Sequence, residues 1–396
     1  MIGIIPIRAI DIILVSFIIF GFLLFSIKGI NFFNKRIILL LTFGMFFVLL
    51  SAIPRGEWLA LQGYWTLYVL RFFAILIFCF FLFKNKSSLM LFSRYLQWFI
   101  FITFFLAAAF LAGYDLVGVR LVAWNYRLNG FGNPNYFAFA IGIIIAMQLG
   151  FLLEKSPSKP YLLSRRNYKN YNILPLFLLL IAILWTGSRG ALLAVLGVLF
   201  SVIFHSTIKS MLSMKMPIAK FKTIIVLNLF LFLSVFIYHL FQSDLEVLLR
   251  LQDLAEGRGS GRDQIWSAVL GNIDWGKWTA YLGHGGSAGF TLFGQKENLS
   301  GTHNDYIWLL ADFGLIGLGV FIISYIFLMR ALFKTREYGL FYSLLFTALF
   351  IVSNDVVNGS PFALLIGISL AALRWRKQMS DAIKLPGSDM YGAKQK

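Results

Sequence analysis

Apolar runs long enough to cross a bilayer recur along the whole of this chain, each bounded by charged or turn-forming residues. A hydrocarbon slab ~30 Å thick asks for about 20 such residues per α-helix. Spans are expected at 8 to 27, 37 to 53, 64 to 83, 95 to 113, 135 to 153, 173 to 187, 190 to 206, 223 to 241, 304 to 329, 339 to 354 and 361 to 373. The expected fold is therefore an all-α integral membrane protein of about 11 (10 to 12) transmembrane helices. These form a single polytopic domain over 1–380, followed by a flexible polar tail on the cytoplasmic side at 381–396. Only 13% of the residues are charged, against about 25% in a soluble domain. The first apolar run lacks a small-residue cleavage site and reads as a retained anchor. The one cysteine, Cys79, falls inside an apolar run, so neither a disulfide framework nor a thiolate metal site arises within one chain.

The net charge of +18 would suit a nucleic-acid binder if it formed one patch, but the basic residues are dispersed in short loops between spans. Alternate loops carry Lys28, Lys35 and Arg36; Lys84, Lys86 and Arg94; Lys155, Lys159, Arg165, Arg166 and Lys169; Lys209, Lys215, Lys220 and Lys222; Arg330, Lys334 and Arg336; and Arg374, Arg376 and Lys377. By the positive-inside rule these loops are cytoplasmic. Residues 54 to 63, 114 to 134, 187 to 190, 242 to 303 and 355 to 360 then face outward, 242 to 303 being the one long extracytoplasmic loop. An odd number of spans puts the N-terminus outside, which Arg8 opposes; a twelfth span in the first third or within 264 to 282 would remove the conflict. The outward loops prefer arginine, with Arg55, Arg120, Arg127, Arg189, Arg250, Arg258 and Arg262 against Lys277 and Lys296. A guanidinium fork binds phosphate or carboxylate bidentately, so an anion site on the outer face is one reading. Snorkelling of each arginine to lipid headgroups is the other.

Four outer segments carry the candidate chemistry. In TGSRG, Thr186 to Gly190, Ser188 is a candidate N-cap that leaves Arg189 in the first turn of the following helix, where free N–H groups and the dipole favour an anion. In GRGSGRDQIW, Ser260 and Asp263 are spaced as a capping box ahead of apolar Ile265, Trp266, Val269, Leu270 and Ile273. The pattern predicts an amphipathic interfacial helix near 262–274 with Arg262 at its N-terminus and Arg258 one turn earlier. GHGGSAGF, Gly283 to Phe290, could bring backbone close to a ligand, with His284 as a fallback base. In THNDYIWLLADFGLIGLGVF, Thr302 and Asp305 form a further cap pattern, so that His303 falls in the first turn of a helix. A neutral imidazole there can act as a general base. Asp312 follows Asp305 by seven residues, on one helical face and within the hydrocarbon, where a carboxylate implies a buried partner or a role. His205 and His239 read as interfacial span ends. Four scattered histidines, no HExxH and no Walker or Rossmann fingerprint leave no metal site and no nucleotide cofactor.

The motifs TGSRGALLAVL, SGRDQIW and HNDYIWLLADFGLIGL, in this order and on one membrane side, resemble the O-antigen polymerase and O-antigen ligase superfamily. RLNGFGNPNYFA, Arg127 to Ala138, is similar to that superfamily's segment leading into a middle helix. The resemblance covers residues 120 to 330. It implies a membrane glycosyltransferase fold in the bacterial inner membrane with its active site facing the periplasm, polyprenyl diphosphate-linked glycans as donor and acceptor, and a metal-independent, cofactor-free reaction. It also implies that Arg189 and Arg262 hold the donor diphosphate and that His303 deprotonates the acceptor hydroxyl. Arg258, His284, Asn304, Asp305, Asp312 and Arg127 are supporting candidates. Lipid and a chain-length regulator are candidate partners; nucleic acid is not. Polymerisation of lipid-linked repeat units is the leading expectation, ligation of the finished glycan to the lipid A core the first alternative, and transport of a lipid-linked sugar the second. A transporter would place polar groups along a path through the midplane, whereas here only Arg71 and Asp312 depart from one side.

Overall fold

The computed structural model describes residues 75, 86–111, 128, 133–153, 173–212, 262–284, 303–354 and 360–383. Among these the regular structure is helical, apart from an isolated bridge residue at Leu128. The helices are α1 (Lys86–Leu111), α2 (Pro134–Leu153), α3 (Ile173–Trp185), α4 (Arg189–Leu212), α5 (Arg262–Gly271), α6 (Trp278–Leu282), α7 (Asp305–Lys334), α8 (Tyr338–Phe350) and α9 (Ser360–Ile383). Four of them, α1, α2, α4 and α7, are long and apolar enough to cross a membrane. The spans expected at 8 to 27, 37 to 53 and 223 to 241, and all of 64 to 83 but residue 75, lie outside the described residues.

Helix α2 is the axis of the bundle. It is apolar on every side and buried from Phe137 to Phe151, as a helix enclosed by other helices must be. Its closest partner is α8, which runs antiparallel to it. A Cβ on Gly142 would run into the ring of Phe346, and one on Gly150 would run into the backbone of Tyr338 and Gly339. Ser343 Oγ donates to the Ile143 carbonyl across the same seam (3.2 Å). Small residues that let backbones approach, with hydroxyls bonded across the gap, are the usual means of helix association where no hydrophobic driving force exists between spans. Gln148 Nε2 donates to Gln97 Oε1 (3.0 Å) and ties α1 to α2 in the same manner.

Contacts along the helices fix their directions. Phe104 meets Trp185, so α1 and α3 finish at the end of the bundle where α2 and α4 begin. Tyr325 and Phe362 stack, and Arg376 pairs with Glu337, so α7 and α9 run parallel. One end of the bundle thus holds Asn133, Thr186 to Gly190, the start of α7 and the end of α8. The opposite end holds Lys334, Arg336, Arg376 and the buried Glu337. His205, read as an interfacial span end, packs there against Phe333 and Tyr338 and bonds Tyr342 Oη (2.9 Å).

Two helices outrun their hydropathy. Helix α1 starts at Lys86 rather than near 95, and α9 continues to Ile383, so residues 381–383 of the expected tail are its last turn; 384–396 lie outside the described residues. Hydropathy marks the hydrocarbon, not the end of a helix, and the polar extension of α9 is what carries Arg376 to Glu337.

The larger departure is in α7. Gly314 interrupts it at φ 67°, ψ −171°, a conformation open essentially to glycine alone. The helix is therefore two pieces, 305–313 and 315–334. The second, about 30 Å long, already matches the hydrocarbon thickness. Asp312 falls in the first piece, two residues before the break.

The α2–α8 seam predicts a contrast between two substitutions. Gly150→Ala should lower stability by about 1–3 kcal/mol, the usual cost of overpacking, whereas Gly319→Ala, which meets open space, should not. Thermal unfolding in detergent micelles checks this; equal midpoints would contradict the close approach.

Candidate functional site

The end of the bundle with Thr186 to Gly190 collects most of the singled-out residues. Thr186 and Ser188 are buried, and Thr186 Oγ1 donates to the Ile183 carbonyl (2.6 Å), closing the α3–α4 turn. Ser188 precedes α4 and its carbonyl accepts from Leu192 N (3.1 Å). Arg189, half-buried, is the first residue of α4. Leu128 N donates to the Trp185 carbonyl (3.2 Å), bringing the segment before α2 to the same place. Arg127 itself lies outside the described residues, as does Arg258.

Helix α5 begins at Arg262, so the Ser260 cap lies outside the described residues. Ile265 and Val269 are buried with Ala311, and Trp266 and Ile307 pack beside them. The apolar face that the sequence assigns to the bilayer interface is thus occupied by the 305–313 helix. The exposed apolar surface comes later, at Trp275, Trp278, Tyr281 and Leu282. Between α5 and α6, Lys277 pairs with Asp274 (2.7 Å). That hydrogen bond, with a further one from Gly276 N, holds the Asp274 carboxyl below the usual carboxylate range.

The α6 end is locked to the break in α7. Gly283 (φ 80°, ψ 175°) lies against the backbone of Asp312 and Phe313, and Gly314 lies against the backbone of Tyr281 and Gly283. His284 N donates to the Ala311 carbonyl (2.9 Å). Neither glycine leaves room for a Cβ, and both hold a backbone conformation that other residues avoid.

His303 stands two residues before α7, not in its first turn. Asn304 is the N-cap, and its side chain accepts from Tyr306 N (3.0 Å) and Ile307 N (3.2 Å). Asparagine outranks threonine at this position because its short carbonyl reaches the N2 and N3 donors well. The cap turns the chain at His303 to φ 49°, a left-handed conformation costing a β-carbon-bearing residue about 1–2 kcal/mol. His303 is half-buried, whereas Asn304 and Asp305 are buried. Asp305 N donates to the Ile351 carbonyl (3.1 Å).

Three of these segments meet on residues 351–354, the end of the span expected at 339 to 354. Besides Ile351 holding Asp305, Ser353 O accepts from Arg262 Nη1 (2.6 Å). Gly190, next to Arg189, lies directly against Ser353 Oγ and Asn354 Nδ2. Arg189, Arg262 and the His303–Asp305 segment are therefore brought together. His284 and Asp312 have another position, at the short helix. They sit at the far end of the 305–313 helix, about 12 Å along its axis from His303. The only hint of residues 351–354 in the sequence is Ser353-Asn354 closing an apolar run, which any turn would show.

Among the described residues no three His, Cys, Asp or Glu side chains come together as metal ligands. Residues 174–322 match the model of a family described as O-antigen ligase. This segment belongs to the O-antigen polymerase/ligase superfamily. The match runs from α3 into the second piece of α7 and contains Arg189, Arg262 and His303. No curated protein matches the chain at a significant level. Within the matched segment, Arg262, Gly190 beside Arg189 and Asp305 near His303 all meet a turn that lies beyond the matched residues.

The Asn304 cap predicts that Asn304→Ala frees the start of α7 by about 1 kcal/mol, while Asn304→Ser keeps an acceptor and most of the cap. Hydrogen exchange of the 305–313 amides, read by mass spectrometry, should rise in the first variant and change little in the second. Equal protection in the alanine variant would contradict the capping role.

Proposed function

We propose that the chain is a glycosyltransferase that polymerises polyprenyl diphosphate-linked repeat units on the extracytoplasmic face of the bacterial inner membrane. The observation that carries this is the convergence on residues 351–354 of Arg262, of Gly190 beside Arg189 and of Asp305 two residues after His303, within and beside a segment of the O-antigen polymerase/ligase superfamily. The sidedness rests on the basic end of the bundle, with Lys334, Arg336 and Arg376, being the cytoplasmic one.

In this reading the acceptor hydroxyl oxygen attacks the anomeric carbon of the donor glycan. The bond from that carbon to the diphosphate breaks and its electron pair leaves with the diphosphate. The hydroxyl proton passes to the His303 imidazole and from there to water. A single displacement inverts the anomeric centre. Arg189 and Arg262 meet the charge that develops on the leaving group, where preorganised donors act most strongly. The activated donor supplies the driving force. The exposed Trp275, Trp278 and Tyr281, held at the outer end of the 315–334 span by the Gly283–Gly314 contact, suit the headgroup region.

Ligation to the lipid A core is the second reading, favoured by the description of the matching family as a ligase. The glycan profile of cells lacking the gene separates the two. Single repeats still transferred to the surface favour polymerase; long chains stranded on the polyprenyl carrier, with bare core, favour ligase. Complementation by His303→Ala should fail although the protein reaches the membrane. Arg189→Lys should fall by at least ~10-fold, because a point charge does not replace a bidentate fork. Wild-type profiles from both variants would overturn the assignment of roles.

A further inference from the structure

Residues 351–354 do more than end a helix. Ser353 N donates to the Phe350 carbonyl (3.2 Å). Asn354, 4% exposed, donates from Nδ2 to the Phe350 carbonyl (3.3 Å) and to Ser353 Oγ (3.0 Å). These bonds hold the turn in one shape at the end of α8, a helix fixed by its close seam with α2. On that rigid support the Ser353 carbonyl accepts from Arg262 Nη1. A carbonyl orients a guanidinium without neutralising it, and this bond takes one of five N–H donors. On the adjoining side, Ser353 Oγ and Asn354 Nδ2 face Gly190 so closely that no side chain fits there. The start of α4, and with it Arg189, is thereby set at a fixed distance from Arg262.

We propose that Ser353 and Asn354 are positioning residues that set the spacing and orientation of Arg189 and Arg262 as a pair built for one diphosphate. The absence of a side chain at Gly190 is the other half of the device, since it lets the arginine-bearing helix seat on the turn. The inference rests on the anion-binding role proposed for the two arginines, and extends it to residues outside the matched segment.

The test measures binding of farnesyl diphosphate to the detergent-purified chain by titration calorimetry, beside transfer activity in proteoliposomes. Gly190→Ala drives a methyl into Ser353 Oγ and should weaken binding about 10- to 100-fold, the scale of an ångström-level misplacement. Gly190→Ala combined with Ser353→Ala removes the nearer of the two colliding atoms, Asn354 Nδ2 being the other, and should recover part of that loss. Asn354→Ala adds no bulk and should weaken binding about threefold to tenfold through loss of the bonds that hold the turn. It is the variant that decides the matter if Gly190→Ala does not fold. Gly319→Ala is the control in open space and should match wild type. Failure of the double variant to bind better than Gly190→Ala, wild-type affinity in Asn354→Ala, or no binding by the wild type would overturn the inference. Diphosphate binding that follows this pattern without glycan transfer would instead overturn the proposed activity and leave the positioning role standing.

Discussion

The close antiparallel packing of α8 on α2 is the contact on which the other features depend. It is made by glycines at positions 142, 150 and 339, each without room for a Cβ, and by the bond from Ser343 Oγ to the Ile143 carbonyl. Helix α8 has 13 residues and is about 20 Å long, shorter than a ~30 Å hydrocarbon slab. Both of its ends meet polar partners inside the protein. Glu337 finds Arg376 at one end. At the other, the turn after Phe350 takes hydrogen bonds from Asp305 and Arg262 and seats Gly190. Charges held in such a place interact more strongly than at an open surface, which suits the diphosphate site proposed above.

A second constraint acts through Gly314. By breaking α7, it separates a short helix that shapes the site from the span that crosses the membrane. The short helix is pinned three times: by Asn304 at its start, by α5 along its side and by the Gly283 contact at its end. Arg262 at the head of α5 and His303 before α7 are thereby carried on one packed unit.

The sequence told most where a local rule stands alone. The turn at Thr186 to Gly190 and the cations at one end of the bundle follow from turn chemistry and charge sidedness. It misled where two local rules competed. Thr302, Asn304 and Asp305 all suit a helix start, and the asparagine takes the cap, which moves His303 out of the helix. Ile265, Val269 and Ile273 have an amphipathic period, but periodicity does not say whether protein or lipid covers the face. Gly314 looks like any glycine of an apolar run, because its backbone angles answer to Tyr281 and Gly283, over thirty residues earlier. Ser353 and Asn354 were illegible for the same reason: their partners are Gly190 and Arg262, far off in the chain.

The central claim is that this end of the bundle transfers a glycan from a polyprenyl diphosphate. The most direct measurement is a reconstitution of the purified chain in proteoliposomes with a synthetic polyprenyl diphosphate-linked repeat unit, no nucleotide and no divalent metal. Released polyprenyl diphosphate and lengthened glycan are quantified together by mass spectrometry. The account predicts one polyprenyl diphosphate released per glycosidic bond formed, with the new linkage inverted at the anomeric carbon. Lengthened glycan with retained configuration, or no release of polyprenyl diphosphate by the active wild-type protein with either a second repeat or a lipid A core as acceptor, would contradict it.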